Sequence, residues 1–277
     1  MREIKSFKIS RVPILFLVGG RGIRVRQLTN DEIPKPLIKI TEDNTILDLI
    51  CVNLQNLGWK NFIFCLGHHG KYLEEHLNGV TWKRKGIRIR FLKEELRGLL
   101  GTAGAAYKAI RKFRICGPTF ILPGDMFLPW TRFQEMLAAH LDKSATITFG
   151  LTSVITRRTS DIGKIYMEKN TSKLVKCYGR TESTPPPEGE LASLTSAGVV
   201  VVDAQAFLDT YASFIKSKGL SKNTPVDIRD DILSWYLNCP NHKAYGFNFV
   251  GEALDLGTID NILYARVNWK KYMLSSL

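Results

Sequence analysis

The sequence predicts an α/β fold, a mixed and mostly parallel sheet with helices on both faces that passes into a β-rich second half. Three observations carry that expectation. Up to Asp125, apolar runs of strand length alternate with segments whose apolar residues recur at helical spacing. Most of the strand-length runs are apolar, as strands covered on both faces are. From Thr146 onward, β-rich runs follow one another with turn residues between them.

Ile14 to Val18 forms the first strand, and Gly19, Gly20 and Gly22 follow at once, interleaved with Arg21, Arg24 and Arg26. Glycines at a strand end let backbone N–H groups turn toward one anion and approach it closely, while arginines add forked donors. A tight turn is the competing explanation for the glycines alone. The loop lacks the Gly-Lys-Ser/Thr ending of the P-loop and the helix-opening glycines of the dinucleotide fingerprint. Lys35 stands between Pro34 and Pro36, which predicts an extended, stiffened backbone aiming its ammonium in one direction.

A helix is predicted over Ile46 to Leu57, stopped by Gly58, then a strand at Phe62 to Leu66, a short helix near Tyr72 to Leu77 and a strand near Ile87 to Leu92. The helix from Thr102 to Ile110 opens with the small residues of Leu99-Leu100-Gly101-Thr102-Ala103-Gly104-Ala105, which permit close approach of a neighbouring strand or of a flat ligand. The strand Thr119 to Leu122 runs into Pro123-Gly124-Asp125. That puts a carboxylate at the edge where parallel sheets bind ligands, although Asp at a strand end also caps helices. Strands are expected at Ile147 to Val154, Gly163 to Met167, Leu174 to Tyr178 and Ala197 to Val202, with a turn at Asn170-Thr171-Ser172 and an exposed loop from Thr184 to Gly189. Helices over Ala204 to Lys216 and Val226 to Leu237, a strand near Ala244 to Phe249, the string Asp255-Leu256-Gly257-Thr258 and a helix from Ile259 to Tyr272 follow.

With 277 residues, 44% of them hydrophobic, the chain can bury a substantial core as one large domain or two intimate halves. No run approaches a membrane span, and the apolar run after basic residues 1–12 is too short for a signal-peptide core, so a soluble, cytoplasmic protein is expected. Cys51, Cys65, Cys116, Cys177 and Cys239 are scattered without a Cys-x-x-Cys pair, as reduced structural cysteines are. His68-His69 and His76 invite a metal reading, but their spacing is not His-Glu-x-x-His and no cysteine joins them, which favours a surface helix start. The net charge of +13 is spread along the chain without an aromatic-rich RNA motif, which favours a solvated basic surface over a nucleic-acid partner.

Gly19-Gly20-Arg21-Gly22-Ile23-Arg24, then Leu28-Thr29, then Pro34-Lys35-Pro36-Leu37 together resemble the signature of the sugar-1-phosphate nucleotidyltransferases, which join an NTP to a sugar phosphate. Ile23 stands where that family usually has Thr, and Gln27 and Lys39 stand where it has Pro; Arg24 and Lys35 keep their places. Asp255-Leu256-Gly257-Thr258 resembles the family's Asp-Ile-Gly-Thr, so the resemblance runs from Ile14 to Ala265.

The resemblance implies a Rossmann-like fold in one continuous catalytic domain: a basic extension over residues 1–12, a nucleotide-binding half over 13–145, and a sugar-binding half with a C-terminal helix over 146–277. It implies attack by a sugar 1-phosphate oxygen on the α-phosphorus of an NTP, with pyrophosphate leaving. Backbone groups of Gly19, Gly20 and Gly22 would cradle the triphosphate, Arg24 would stabilise the pyrophosphate, and Lys35 would bridge the α-phosphate and the sugar phosphate. Gly101 and Thr102 would border the nucleobase, with Glu95 or Glu94 contacting it, and Asp125 and Asp255 would hold Mg2+. Gly163, Arg180 and Gly198 are the sugar-side candidates. Gly179-Arg180 aligns where many relatives carry Glu-Lys, with Glu168-Lys169 as an alternative alignment, and Ser196-Ala197-Gly198 stands where relatives often read Asn-Ala-Gly. The Leu-Gly-Thr-Ala-Gly string is similar to those of mannose- and heptose-type guanylyltransferases, which favours GTP; uridylyl, thymidylyl and cytidylyl relatives share the fold. A homo-oligomer is compatible with the family. A non-catalytic relative that senses nucleotide sugars is the competing reading.

Overall fold

The computed structural model describes residues 8–80, 83, 86–94, 99–153, 163–179, 182–183, 188–221 and 223–274. β1 (Pro13–Leu17) leads through a 3-10 turn (Ile23–Val25), the short α1 (Arg26–Thr29) and a second 3-10 turn (Lys35–Leu37) to α2 (Ile46–Asn56). A reciprocal cap starts α2: Asp48 N donates to Thr45 Oγ1 at 3.2 Å and Thr45 N donates to Asp48 Oδ2 at 2.9 Å. Gly58, at φ 95°, stops it as expected. β2 (Asn61–Leu66), α3 (Gly70–Gly79), β3 (Arg88–Lys93), α4 (Gly101–Lys112), β4 (Pro118–Pro123) and the two-residue β5 (Met126–Phe127) complete the first half.

α5 (Phe133–Asp142) follows, an element missing from the sequence expectation. Its buried Phe133, Met136, Leu137 and His140 do recur at helical spacing, but Arg132 makes no side-chain cap and a 3-10 turn replaces the usual start signal. β6 (Ile147–Thr152), β7 (Lys164–Glu168), β8 (Leu174–Cys177) and the long β9 (Leu191–Asp203) follow, β9 starting at Leu191 rather than Ala197 because its first part pairs with β7. α6 (Ala204–Lys218) is capped by Asp203 and closed by Gly219 at φ 62°. In place of the α-helix expected over 226–237, Ile228–Leu233 winds as a π-helix and only α7 (Ser234–Tyr236) is α-helical. β10 (Ala244–Asn248), β11 (Leu254–Asp255) and α8 (Ile259–Asn268) close the order, and the last helix tightens into a 3-10 turn over Trp269–Tyr272.

Among the described residues the main sheet has nine strands, ordered β10-β6-β9-β4-β1-β2-β3, with β7 on β9 and β8 on β7. β1 pairs parallel with β2 and β4, β2 with β3, and β6 with β10, whereas β9 runs against β4, β6 and β7. Only β8 and β9 therefore oppose the common strand direction, which makes the sheet mixed and mostly parallel in the expected sense. Side chains alternate across each strand, so β1 sends Ile14 and Phe16 to one core with α2, α3, α5 and α8, and Leu15 to the other with α4 and α6. Both faces are covered. Among the described residues, no helix is long and apolar enough to cross a membrane.

Candidate active site

Parallel strands bring their carboxyl ends to one edge, and there the loops after β1, β2 and β4 meet. Gly19 packs on Gly67, where a Cβ at Gly67 would lie 2.7 Å from Gly19 O, and His68 N donates to Gly19 O at 3.1 Å. Gly19 is thus required by close packing between loops. Gly22 is left-handed at φ 61°, and a Cβ there would meet Lys35 Cβ at 3.1 Å. Gly20 has open space around it and faces a cavity of about 500 Å³ that Arg24, Lys35, Asp125 and Gly257 also line.

Lys35 departs from the extended backbone expected of it. Pro34 is extended at φ −67°, ψ 141°, but Lys35 opens the 3-10 turn, in which Leu37 N donates to Pro34 O at 2.9 Å. Pro36 is tolerated because the first turn needs no N–H from it. The Lys35 side chain is only 9% exposed, and its ammonium is paired with Asp125 Oδ2. A lysine so buried needs that countercharge.

Asp125 lies between β4 and β5 and is tied to the segment around Asp255. Asp255 stands opposite Met126 in the antiparallel β5–β11 pair, and Leu256 N donates to Asp125 O at 3.0 Å. Asn261 Nδ2 donates to Asp255 O at 2.6 Å, and Thr258 Oγ1 caps α8, so the helix holds the strand in place. A Cβ at Gly257 would lie 2.8 Å from both Arg24 Nη2 and Asp255 Oδ1, so guanidinium and carboxylate share one glycine's surface. Arg24, Asp125 and Asp255 also line a second cavity, of about 340 Å³, which continues toward Ser196, Gly198 and Asp227.

Gly101 and Thr102 border a narrower slot of about 240 Å³ with Gly19, Gly20 and Glu94. Gly101 has φ 73°, and a Cβ there would come within 2.4 Å of Val226 O, so its size is set by a crossing backbone. Thr102 Oγ1 donates to Asp227 Oδ2 and accepts from Ile228 N, both at 2.8 Å, and so anchors the π-helical segment. Burial pushes the Glu94 carboxyl up from its ordinary value, opposed by the Leu100 N–H and by Lys108.

On the opposite wall Gly198, at φ 76°, sits where β9 bulges against β6 and packs on Met126 and Pro123. Gly163 does not reach the cavity; it stands behind Thr195, which donates to its carbonyl at 3.2 Å, and behind Arg229. Glu95 and Arg180 lie outside the described residues. Sequence reasoning missed Asp227, Arg229 and Asp230 as lining residues, whereas Ser196, part of the Ser196-Ala197-Gly198 string, does line the cavity. The acidic pair and arginine of Asp227-Ile228-Arg229-Asp230 were the only available signal, and they look like an ordinary solvated helix face.

The family model described as nucleotidyl transferase matches residues 13–270. The chain belongs to the nucleotidyl transferase family. The fold of this nucleotidyltransferase is similar to that of HddC from Yersinia pseudotuberculosis, crystallised in complex with GMP-PN. The TM-score is 0.66 at 16% identity, covering 93% of this chain and 99% of that one.

Proposed function

We propose that the protein joins an NTP to a sugar 1-phosphate in a Mg2+-dependent reaction, giving an NDP-sugar and pyrophosphate, with GTP and a mannose- or heptose-type sugar as the favoured pair. The observation that carries this proposal is that Arg24 and Asp125 line two cavities in common, one lined also by Gly20 and Lys35 and the other by Asp255, with Lys35 paired to Asp125. A phosphate monoester, with a second pKa of about 6, is already largely dianionic at neutral pH, so no strong base is required. The obstacle is the meeting of two anions.

Lys35 answers it at the attacked phosphorus. Its ammonium, held by Asp125 without substrate, would turn to oxygens of the α-phosphate and the incoming sugar phosphate. Arg24, beside Gly257, would take up charge developing on the departing pyrophosphate. The open backbone of Gly20 would let the triphosphate approach closely, while Gly22 keeps Lys35 in position. Asp125, just before β5, and Asp255, in the partner strand β11, are hard oxygen donors, a set that suits Mg2+, which when bound would neutralise charge on the α-phosphate. Gly101, Thr102 and Glu94 or Glu95 would border the base. Gly198 and Arg180 would face the sugar phosphate, with Gly163 supporting that wall from behind.

The test is magnesium-dependent pyrophosphate release across four NTPs and a panel of sugar 1-phosphates, with Asp255→Asn and Asp125→Asn as controls. Turnover with one pair, abolished in both variants, is expected. Silence across the panel with nucleotide-sugar binding retained would move the protein to the sensing class.

A further inference from the structure

We propose a second metal site, built from Asp31, His68 and His69, that takes zinc or a comparable borderline divalent ion. The sequence pairs the two histidines with no third ligand; the fold supplies one. One ring nitrogen from each histidine and one carboxylate oxygen of Asp31 all lie within 4.8 Å of one another. His68 Nε2 is 3.7 Å from Asp31 Oδ1, and the two imidazole rings have centroids 3.9 Å apart. Donors around a tetrahedral zinc at 2.0–2.1 Å sit roughly 3.3 Å from one another, so small side-chain rotations close the site.

Two further observations point to a ligand. His69 Nε2 is enclosed and has no hydrogen-bond partner, an expensive state for a ring nitrogen unless something else binds the imidazole. Arg26 Nη2 reaches Asp31 Oδ2 at 3.3 Å and leaves Oδ1 on the side of His68, as an outer partner orienting a ligand carboxylate does. His76, the third histidine of the sequence cluster, is engaged elsewhere, 2.8 Å from Asp48 Oδ1. Two nitrogens and one oxygen select a borderline ion, whereas the all-oxygen pair Asp125 and Asp255 suits a hard one.

Asp31 lies on the segment between Arg24 and Lys35, and the backbone of His68 is bonded to Gly19. An ion here would clamp that segment to the turn between β2 and α3 and restrain the loop that carries both cations.

Chelator-treated protein is titrated with Zn2+ by calorimetry and with Co2+ by visible absorption, beside Asp31→Asn, His68→Gln and Asp125→Asn. Wild type and Asp125→Asn are expected to bind one tight equivalent, with the intense absorption of low-coordinate Co2+. Asp31→Asn and His68→Gln are expected to lose at least about tenfold in affinity. Amide exchange over residues 20–33 should slow with Zn2+ in wild type and not in His68→Gln. These two variants decide the matter because His69 holds a left-handed backbone at φ 55° and its replacement would disturb the start of α3. No tight Zn2+ binding, binding indifferent to both variants, or binding lost in Asp125→Asn would overturn the site, and none of these readouts depends on turnover.

Discussion

The two walls of the cleft were built by different routes. On one side, β1, β2 and β4 run parallel and deliver Gly19, Gly67 and Asp125 to one edge as loop residues released from the strands. On the other, β9 runs the opposite way and crosses the cleft in mid-strand, so Ser196 and Gly198 reach it only because the strand bulges between its pairings with Phe149 and Leu151. A loop wall records its task in its composition, since neither strand pairing nor a helix face calls for its glycines and cations. In a strand wall the same residues must also satisfy pairing and packing, and the functional signal is diluted.

The largest expected effect tests whether the loop wall serves chemistry rather than folding. Asp255→Asn should lower turnover by roughly 10²- to 10³-fold, the scale of losing one preorganised electrostatic group, while barely moving the unfolding midpoint. Asp125→Asn should lose as much turnover and also some stability, because Lys35 would keep its burial without a countercharge. Matching losses of turnover and thermal stability in Asp255→Asn would erase the distinction between the walls.

A second effect belongs to the antiparallel side. Burial lowers the pKa of His140, which bonds Thr148 Oγ1 under β6, from 6.5 to about 4. The unfolded chain therefore binds a proton that the native state refuses, so the His140 contribution is intact above pH 6.5 and is lost as pH falls toward 4. The full loss is on the order of 3 kcal/mol before relaxation. Urea midpoints across that range should show the slope in wild type and a shallower one in His140→Gln; identical slopes would refute it.

Thr102 joins the walls through Asp227 and Ile228. Thr102→Val should cost about 1 kcal/mol or more because two part-buried polar groups lose their partner, and Thr102→Ser should restore most of it. The sharpest comparison uses two alanines. Gly20→Ala meets nothing within 4 Å and should leave stability unchanged while lowering turnover about tenfold, as expected where a phosphate needs bare backbone. Gly198→Ala, strained at φ 76° and 2.9 Å from Met126 Sδ, should lose about 1–2 kcal/mol of stability. Thermal midpoints and initial rates on the same two preparations decide it.

What could be read in advance follows the same division. The alternation of apolar runs and helical spacing fixes β1 to β4 and their helices because parallel strands, covered on both faces, leave a continuous apolar trace. Arg24, Lys35, Asp125 and Asp255 stood out as members of strings that together resemble a family signature, and the fold sets them along two cavities that share Arg24 and Asp125. The backbone at Lys35 was misjudged because the preference before proline is weaker than a turn held by a buried ion pair. The π-helix after Asp227 carries no signature distinct from an α-helix, since the same apolar spacing serves both. Asp31 was invisible beside His68 and His69 because contact between residues so far apart is a property of the fold, not of spacing.

The short pairing of Leu254–Asp255 with Met126–Phe127 also sets an order in time. A chain emerging from a ribosome acquires its glycine loop, Lys35 and Asp125 early, and the strands that carry them can pair as they appear. Asp255 arrives only after β6 to β10 and most of the helices have been made, and it stays in place only once α8 has seated behind it. On the proposed function, a nascent chain that has not yet reached Asp255 would present its glycine loop and Lys35 without a complete reaction centre. The β5–β11 pair thus makes assembly of the cleft wait for the segment from Leu254 through α8.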